Sequence, residues 1–367
     1  MTQRTKPPFR ADHVGSLLRP AALKQARERR AKGEIDADQL KAVEDREIKD
    51  VIKKQEAAGL ASITDGEFRR SWWHLDFLWG LDGVERHVMD SGIAFAAVTT
   101  RNEGVKVTGK LGFSTHQMIE HFKFVKANTS RAPKMTIPAP SALYGRPVPT
   151  PIDKSVYPKL DTFFDDLGQA YRKAVRAFAD AGCRYLQLDE VFIAMLCDPK
   201  YRQQMKDRGD DPQALGTIYG DLINVAISDI PPDMTVTMHL CRGNYKSTFM
   251  GSGGYEAMQE VLFDRIKVHG YFMEYNSERA GGFEPLQRLQ KGRAVVLGLV
   301  TTKTGTLESK DAIKRRIAEA ARFADLDQLC LSPQCGFAST EEGNTLVEDE
   351  QWAKLRMIVE IAGEVWG

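Results

Sequence analysis

Four side chains able to hold a metal ion lie in the second half of the chain: His239, Cys241, Glu274 and Cys335. His239 and Cys241 sit at the close of Thr235-Val236-Thr237-Met238-His239-Leu240, a β-branched, alternating run that predicts a strand. Residues two apart on a strand face the same side. An imidazole and a thiolate therefore converge at its exit, as half of a tetrahedral zinc site would require. A lone His-x-Cys equally fits a buried core pair. Glu274 shifts the balance. It follows Tyr271-Phe272-Met273, where a buried carboxylate without a partner is costly; its plainer alternative is an ion pair in the mouth of the fold. Cys335, in Ser332-Pro333-Gln334-Cys335-Gly336, follows the last predicted strand and by itself reads as a small buried hydrophobe. Cys183, Cys197 and Cys330 are read as structural.

Other polar residues at predicted strand exits extend the set. Glu67, Asp189 and Glu190 can bind an ammonium group or act as bases, or can cap the next helix. Ser16 and Ser141 stand at comparable exits. Arg242, next to Cys241, can clamp a carboxylate through its planar fork, or can be an exposed turn residue. Lys303 can bind an anion or donate a proton, or can be solvated. Trp72, Trp73 and His74 read first as core packing and second as a pocket wall.

These residues need a frame that brings distant strand ends together. From about 157 onward, predicted helices alternate with strands at 185–190, 235–240, 271–275, 295–300 and 328–333. Such alternation implies a parallel sheet. Further strands are predicted at Ala11–Ser16, Ala61–Glu67 and Met135–Ser141, which makes eight. Eight βα units predict a (β/α)8 TIM barrel over residues 1–367 as a single catalytic domain, with strand ends converging on one face. No Gly-x-Gly-x-x-Gly follows the first strand, against a dinucleotide-binding fold. Helices are expected at about 20–32, 37–59, 254–264, 283–290, 308–324 and 349–365. At about 82–113 the pattern becomes a β-hairpin insertion, with turn chemistry at Asn102 and Gly104.

Composition narrows the partners. Net charge is +1 and charged residues are 28% of the chain, so there is no electrostatic case for nucleic acid or an anionic membrane. The first residues carry no apolar core of a signal peptide, and no stretch reaches the length of a membrane-spanning helix. An odd set of 5 cysteines suggests reduced thiols and a cytoplasmic location.

The ordered set resembles the cobalamin-independent methionine synthase family. His239-Leu240-Cys241, Glu274 and Pro333-Gln334-Cys335-Gly336 resemble its zinc motif. Leu186-Gln187-Leu188-Asp189-Glu190 is similar to its Asp-Glu strand exit, Val14-Gly15-Ser16 to its Gly-Ser loop, and Gly66-Glu67 to its substrate-binding Glu. The match spans nearly the whole chain and corresponds to the catalytic C-terminal half of the long enzymes. The resemblance implies a zinc-dependent thiol alkyltransferase. Zn2+ would be held by His239, Cys241, Glu274 and Cys335. The ammonium of homocysteine would meet Asp189 and Glu67, and its carboxylate the Val14-Gly15-Ser16 loop. A methyl donor, such as 5-methyltetrahydrofolate, would complete the reaction to methionine. Lys303 stands where the family carries a catalytic His, and Thr301 where it carries an Asp, so Lys303 is the expected proton donor. Two alternatives stay open: a zinc-dependent thiol alkyltransferase using another electrophile, similar to the epoxyalkane:coenzyme M transferases, and a non-catalytic thiol-binding barrel. Asp189 and Glu67 favour an amino-acid thiol, since a sulfonate thiol offers them no ammonium. Self-association into a homo-oligomer is also left open.

Overall fold

The computed structural model describes residues 4–367. Its strands are β1 (Ser62–Ile63), β2 (Asp82–Val88), β3 (Glu103–Gly112), β4 (Ala132–Pro138), β5 (Tyr185–Glu190), β6 (Thr235–Leu240), β7 (Gly270–Glu274), β8 (Ala294–Val300) and β9 (Leu329–Pro333). Seven of them form one curled parallel sheet in the order β1-β4-β5-β6-β7-β8-β9, and β2 and β3 pair antiparallel apart from it. Parallel strands buried on both faces read as continuous apolar runs, and β7, β8 and β9 are buried along their full length.

The architecture is a TIM-like barrel, as expected, but the first of the eight expected strands is not a regular one. Residues 10–14 run beside β9 through Asp12 N–H to Leu331 O (3.0 Å) and Leu331 N–H to Arg10 O (2.8 Å), with a single bridge at Ala11. On the other side side chains make the closure: Ser62 Oγ donates to Asp12 Oδ1 (2.7 Å) and Thr64 Oγ1 to Gly15 O (2.6 Å). Polar side chains at Asp12, Ser62 and Thr64 replace the backbone ladder there, which is why β1 shrinks to two residues.

The helices wrap the outside. Leu160–Asp180 shows why: Phe163, Leu167, Tyr171, Ala174 and Phe178 recur every three or four residues and are buried against the sheet. Helix Ala37–Ala57 begins with a capping box between Asp36 and Gln39. The expected helix at 254–264 is a 3-10 turn followed by a π-helical turn, and that at 283–290 is a single 3-10 segment. Helices at Gln117–Asn128 and Pro199–Asp207 were not expected. The first buries Met118, Phe122 and Val125 behind a His116 cap, a stripe short enough to pass for loop.

The inserted hairpin is present, but its turn is not at Asn102 and Gly104. β3 begins at Glu103, Gly104 pairs with His87, and the connection is residues 89–102. A Cβ on Gly104 would stand 2.9 Å from Met89 Cγ, so this glycine serves close packing rather than a turn.

Candidate metal centre and active-site cavity

Strand pleat and strand order assemble the metal group. His239 is the penultimate residue of β6, Cys241 follows its end, and Glu274 closes the neighbouring β7. Cys335 lies two residues beyond β9. It reaches the others because the chain folds back over β8 at Gly298, where a Cβ would sit 2.8 Å from Gln334 Cα. The ligand atoms of His239, Cys241, Glu274 and Cys335 all lie within 4.8 Å of one another, and all four residues are buried.

The donor set fits zinc. The Cys241 and Cys335 sulfurs are 3.5 Å apart. Neither ring nitrogen of His239 is held by a protein nitrogen or oxygen, and its neighbour is the Cys335 sulfur, a fellow candidate ligand, which leaves the ring free to ligate. Glu274 is oriented from behind: Oε1 accepts from Arg242 N–H (2.7 Å) and Oε2 from Gln334 Nε2 (3.1 Å). Gly243 N–H donates to Cys241 Sγ (3.3 Å). The hydrogen bond from Cys241, with His239 beside it, holds the Cys335 thiol well below its ordinary value, while the same contact pushes Cys241 up. A metal bound by these sulfurs would displace their protons.

The two carboxylates expected to meet substrate, Glu67 and Asp189, line the same cavity. Glu67 is buried and sits at a φ of 61°, an uncommon conformation for a non-glycine residue. Its Oε1 accepts from Thr136 Oγ1 (2.9 Å) and lies 3.3 Å from the Arg70 guanidinium, while Oε2 has no partner. Burial raises its pKa, with Arg70 pulling the other way. Burial pushes the Asp189 carboxyl up to about 7, with His239 opposing and Glu67 adding to the rise. Asp189 Oδ1 accepts from Gln187 Nε2 (2.6 Å). Glu190 has the plainer of its two expected roles: it caps the short helix Phe192–Met195 through the Phe192 and Ile193 N–H groups (2.7 and 2.8 Å).

Of the remaining expected residues, Ser16 lines the cavity and Gly15 does not. Gly15 instead shapes the loop: its φ is 137°, and a Cβ would stand 2.7 Å from Thr136 Cγ2. Arg242 does not line the cavity. Its guanidinium lies over the Tyr255 ring, 4.3 Å from the centroid. Lys303 is also outside the lining, its ammonium donating to Asn244 Oδ1 and Thr248 O (both 3.1 Å). Trp72, Trp73 and His74, read first as core, wall the cavity.

Several contributors carried no sequence signal. Thr136 sits mid-strand, and Asn244 donates to Gly336 O (2.7 Å) beside Cys335. Ile93, Phe95 and Thr100 of the hairpin connection cover the mouth. Only Gln334 was signposted, by its place in the Pro-Gln-Cys-Gly run. The space inside the cavity is about 70 Å³, less than the ~300 Å³ or more usual for a site that encloses a drug-sized ligand.

The chain is similar to several known proteins. It is 50% identical over 366 residues to an uncharacterized protein of Bacillus subtilis (strain 168), YxjH, covering 99% of this chain and 96% of that one. It is 26% identical over 327 residues to a methionine synthase of Pyrococcus abyssi, covering 88% and 84%. The structure of a putative vitamin-B12 independent methionine synthase from Listeria monocytogenes superimposes with a TM-score of 0.80 at 42% identity, over 99% of this chain and 100% of that one. The structure of a B12-independent methionine synthase from Shewanella sp. W3-18-1, at 18% identity and a TM-score of 0.71 over 96% of each chain, shares the fold. The family described as the catalytic domain of cobalamin-independent synthase matches residues 9–364, so a chain whose strand ends gather a His, two Cys and a Glu beside two buried carboxylates belongs to the cobalamin-independent methionine synthase family.

Proposed function

We propose that the protein is a zinc-dependent thiol methyltransferase that moves a methyl group from a donor, with 5-methyltetrahydrofolate as the first candidate, onto homocysteine to give methionine. The observation that carries this reading is the placement of an unpartnered carboxylate oxygen, Glu67 Oε2, in the cavity that also holds the metal-ligand group. Zinc held by His239, Cys241, Glu274 and Cys335 would favour the thiolate of a substrate whose free thiol has a pKa near ~8.5.

The chain's own groups do the rest. Glu67 and Asp189 take the α-ammonium, and the Val14-Gly15-Ser16 loop takes the α-carboxylate, so that the side-chain sulfur points to the metal group. Trp72, Trp73 and Phe95 keep water from the reacting atoms. For protonation of the donor's leaving atom the reading retains Lys303, whose positive charge is felt at Cys335 although its ammonium is held by Asn244 and Thr248. A Lys303→Met variant with an unchanged rate across the pH range would remove it from that role.

The test is calorimetric titration of L-homocysteine into zinc-loaded protein in two buffers of different ionisation heat, followed by a methionine assay with 5-methyltetrahydrofolate. Binding with release of close to one proton, then methionine formation, is the expected result. Binding without turnover points to another donor. If only a sulfonate thiol binds, the amino-acid reading is wrong and the epoxide-opening alternative takes its place.

A further inference from the structure

A buried guanidinium beside the main cavity has no anion. Arg146 is 2% exposed, its Nη1 has no hydrogen-bond partner, and the contact of its Nη2 is the Met89 sulfur at 3.7 Å. Among the described residues it makes no ion pair. Arginine does not escape the cost of burial by losing its proton, and a buried charge without a partner is destabilising. Arg146 lines a second cavity between the hairpin and the 142–158 loop, together with Thr150, whose hydroxyl also lacks a partner. The carboxylate on this lining, Asp90, is solvent-exposed.

The two cavities share a wall. Pro147 lines the main one, while its neighbours Arg146 and Val148 line the second. The Arg146 charge reaches His74 in the main cavity and adds to the effect of burial in keeping that imidazole neutral. The planar fork of arginine matches carboxylate and phosphate oxygens.

We infer that Arg146, with Thr150, binds an anionic group, carboxylate or phosphate, carried by the second substrate, whose reacting end occupies the main cavity. The inference rests on reading that cavity as a thiol-transfer site. Glu67 and Asp189 make the floor of the site cation-seeking, and Arg146 makes its flank anion-seeking. The two substrates are thereby told apart by charge.

The test uses the full-length zinc-loaded protein and its Arg146→Met, Arg146→Lys and Thr150→Val variants. Thermal melting and calorimetric titration are run with inorganic phosphate and with glutarate, at ionic strength matched with chloride. One of the two anions is expected to bind the wild type at one site and raise its Tm, and the stronger one identifies the chemistry. Affinity should fall at least 10-fold in Arg146→Met, partly recover in Arg146→Lys, and fall several-fold in Thr150→Val, which keeps the reading testable if Arg146→Met fails to fold. In anion-free buffer Arg146→Met should melt no lower than wild type, because it removes a charge that has no partner. Two results overturn the inference: no response of the wild type to either anion, with Arg146→Met melting lower; or an equal loss of L-homocysteine binding in Arg146→Met, which would give Arg146 to the amino acid's own carboxylate. If the wild type binds the anion through Arg146 but does not bind homocysteine, the anion site stands and the thiol reading fails.

Discussion

At the N-terminal ends of the barrel strands, Asp12, Lys134, Tyr185 and Ser62 are buried together. Asp12 accepts from Ser62 Oγ (2.7 Å), Tyr185 OH (2.7 Å) and the Phe9 and His13 N–H groups (3.1 and 2.8 Å), and pairs with Lys134 at 3.4 Å. Lys134 also donates to His13 O (2.5 Å) and lies 4.1 Å from the centroid of the Phe272 ring. At the C-terminal ends, His239 has neither nitrogen satisfied, and Glu67 Oε2 and His74 Nδ1 are without partners. Both regions are buried in one barrel. The first is a set of polar groups that complete one another, apart from His13 Nδ1; the second is a set that something else must complete. In a TIM barrel the first kind of end stabilises and the second reacts. Bond satisfaction draws that division here without reference to any relative.

The largest expected effect breaks the incomplete end. Cys241→Ser should abolish stoichiometric zinc, read by atomic absorption, and lower turnover by more than about 100-fold. The metal-free protein should lose no more than about 1 kcal/mol in a denaturant melt. The mirror experiment breaks the complete end. Asp12→Asn or Lys134→Met strands a buried partner and should cost about 3–5 kcal/mol in the same melt, with zinc content unchanged. The double variant should recover part of that loss.

A third prediction sharpens the contrast by pH. Burial, with Lys134 nearby, pushes His13 down from 6.5 to about 4. Its native form is neutral, and the unfolded chain takes up a proton below 6.5. The stability it contributes is therefore present above pH 6.5 and is lost as pH falls toward 4, by roughly 3 kcal/mol at most. His13→Gln should flatten that part of a stability–pH curve. The smallest effect is at Glu67, the carboxylate proposed to take the substrate's ammonium. Glu67→Gln should weaken homocysteine binding by about 10-fold or more, the worth of one charged hydrogen bond. It should lower the melt less than Asp12→Asn does, since burial already disfavours the Glu67 charge although Arg70 at 3.3 Å loses its ion-pair partner.

Much of this was legible in the sequence where the pattern is strictly local. β5 and β6 have the expected bounds, because each carries an alternating run that closes on polar groups, Asp189-Glu190 in β5 and His239 in β6. Residues 10–14 and 62–63 were harder. Their sequence reads as strand, yet closure there depends on Asp12, Ser62 and Thr64 side chains, and no period reports a side-chain bond. The helix at Gln117–Asn128 was missed and the hairpin connection at 89–102 misplaced for a related reason. Turn residues such as Asn102 and Gly104 state what the backbone can do, and packing against Met89 decides what it does.

The candidate site divides along the same line. The sequence by itself determined the ligand types, their two-residue spacing on β6 and their order along the chain, because strand pleat converts spacing into direction. Only the tertiary structure could decide that Cys335 returns over Gly298 to within 3.5 Å of Cys241. It also turned Arg242 away onto Tyr255 and left Arg146 buried without an anion. Those outcomes depend on which surfaces meet across hundreds of residues, and on which polar atoms, once buried, find a partner.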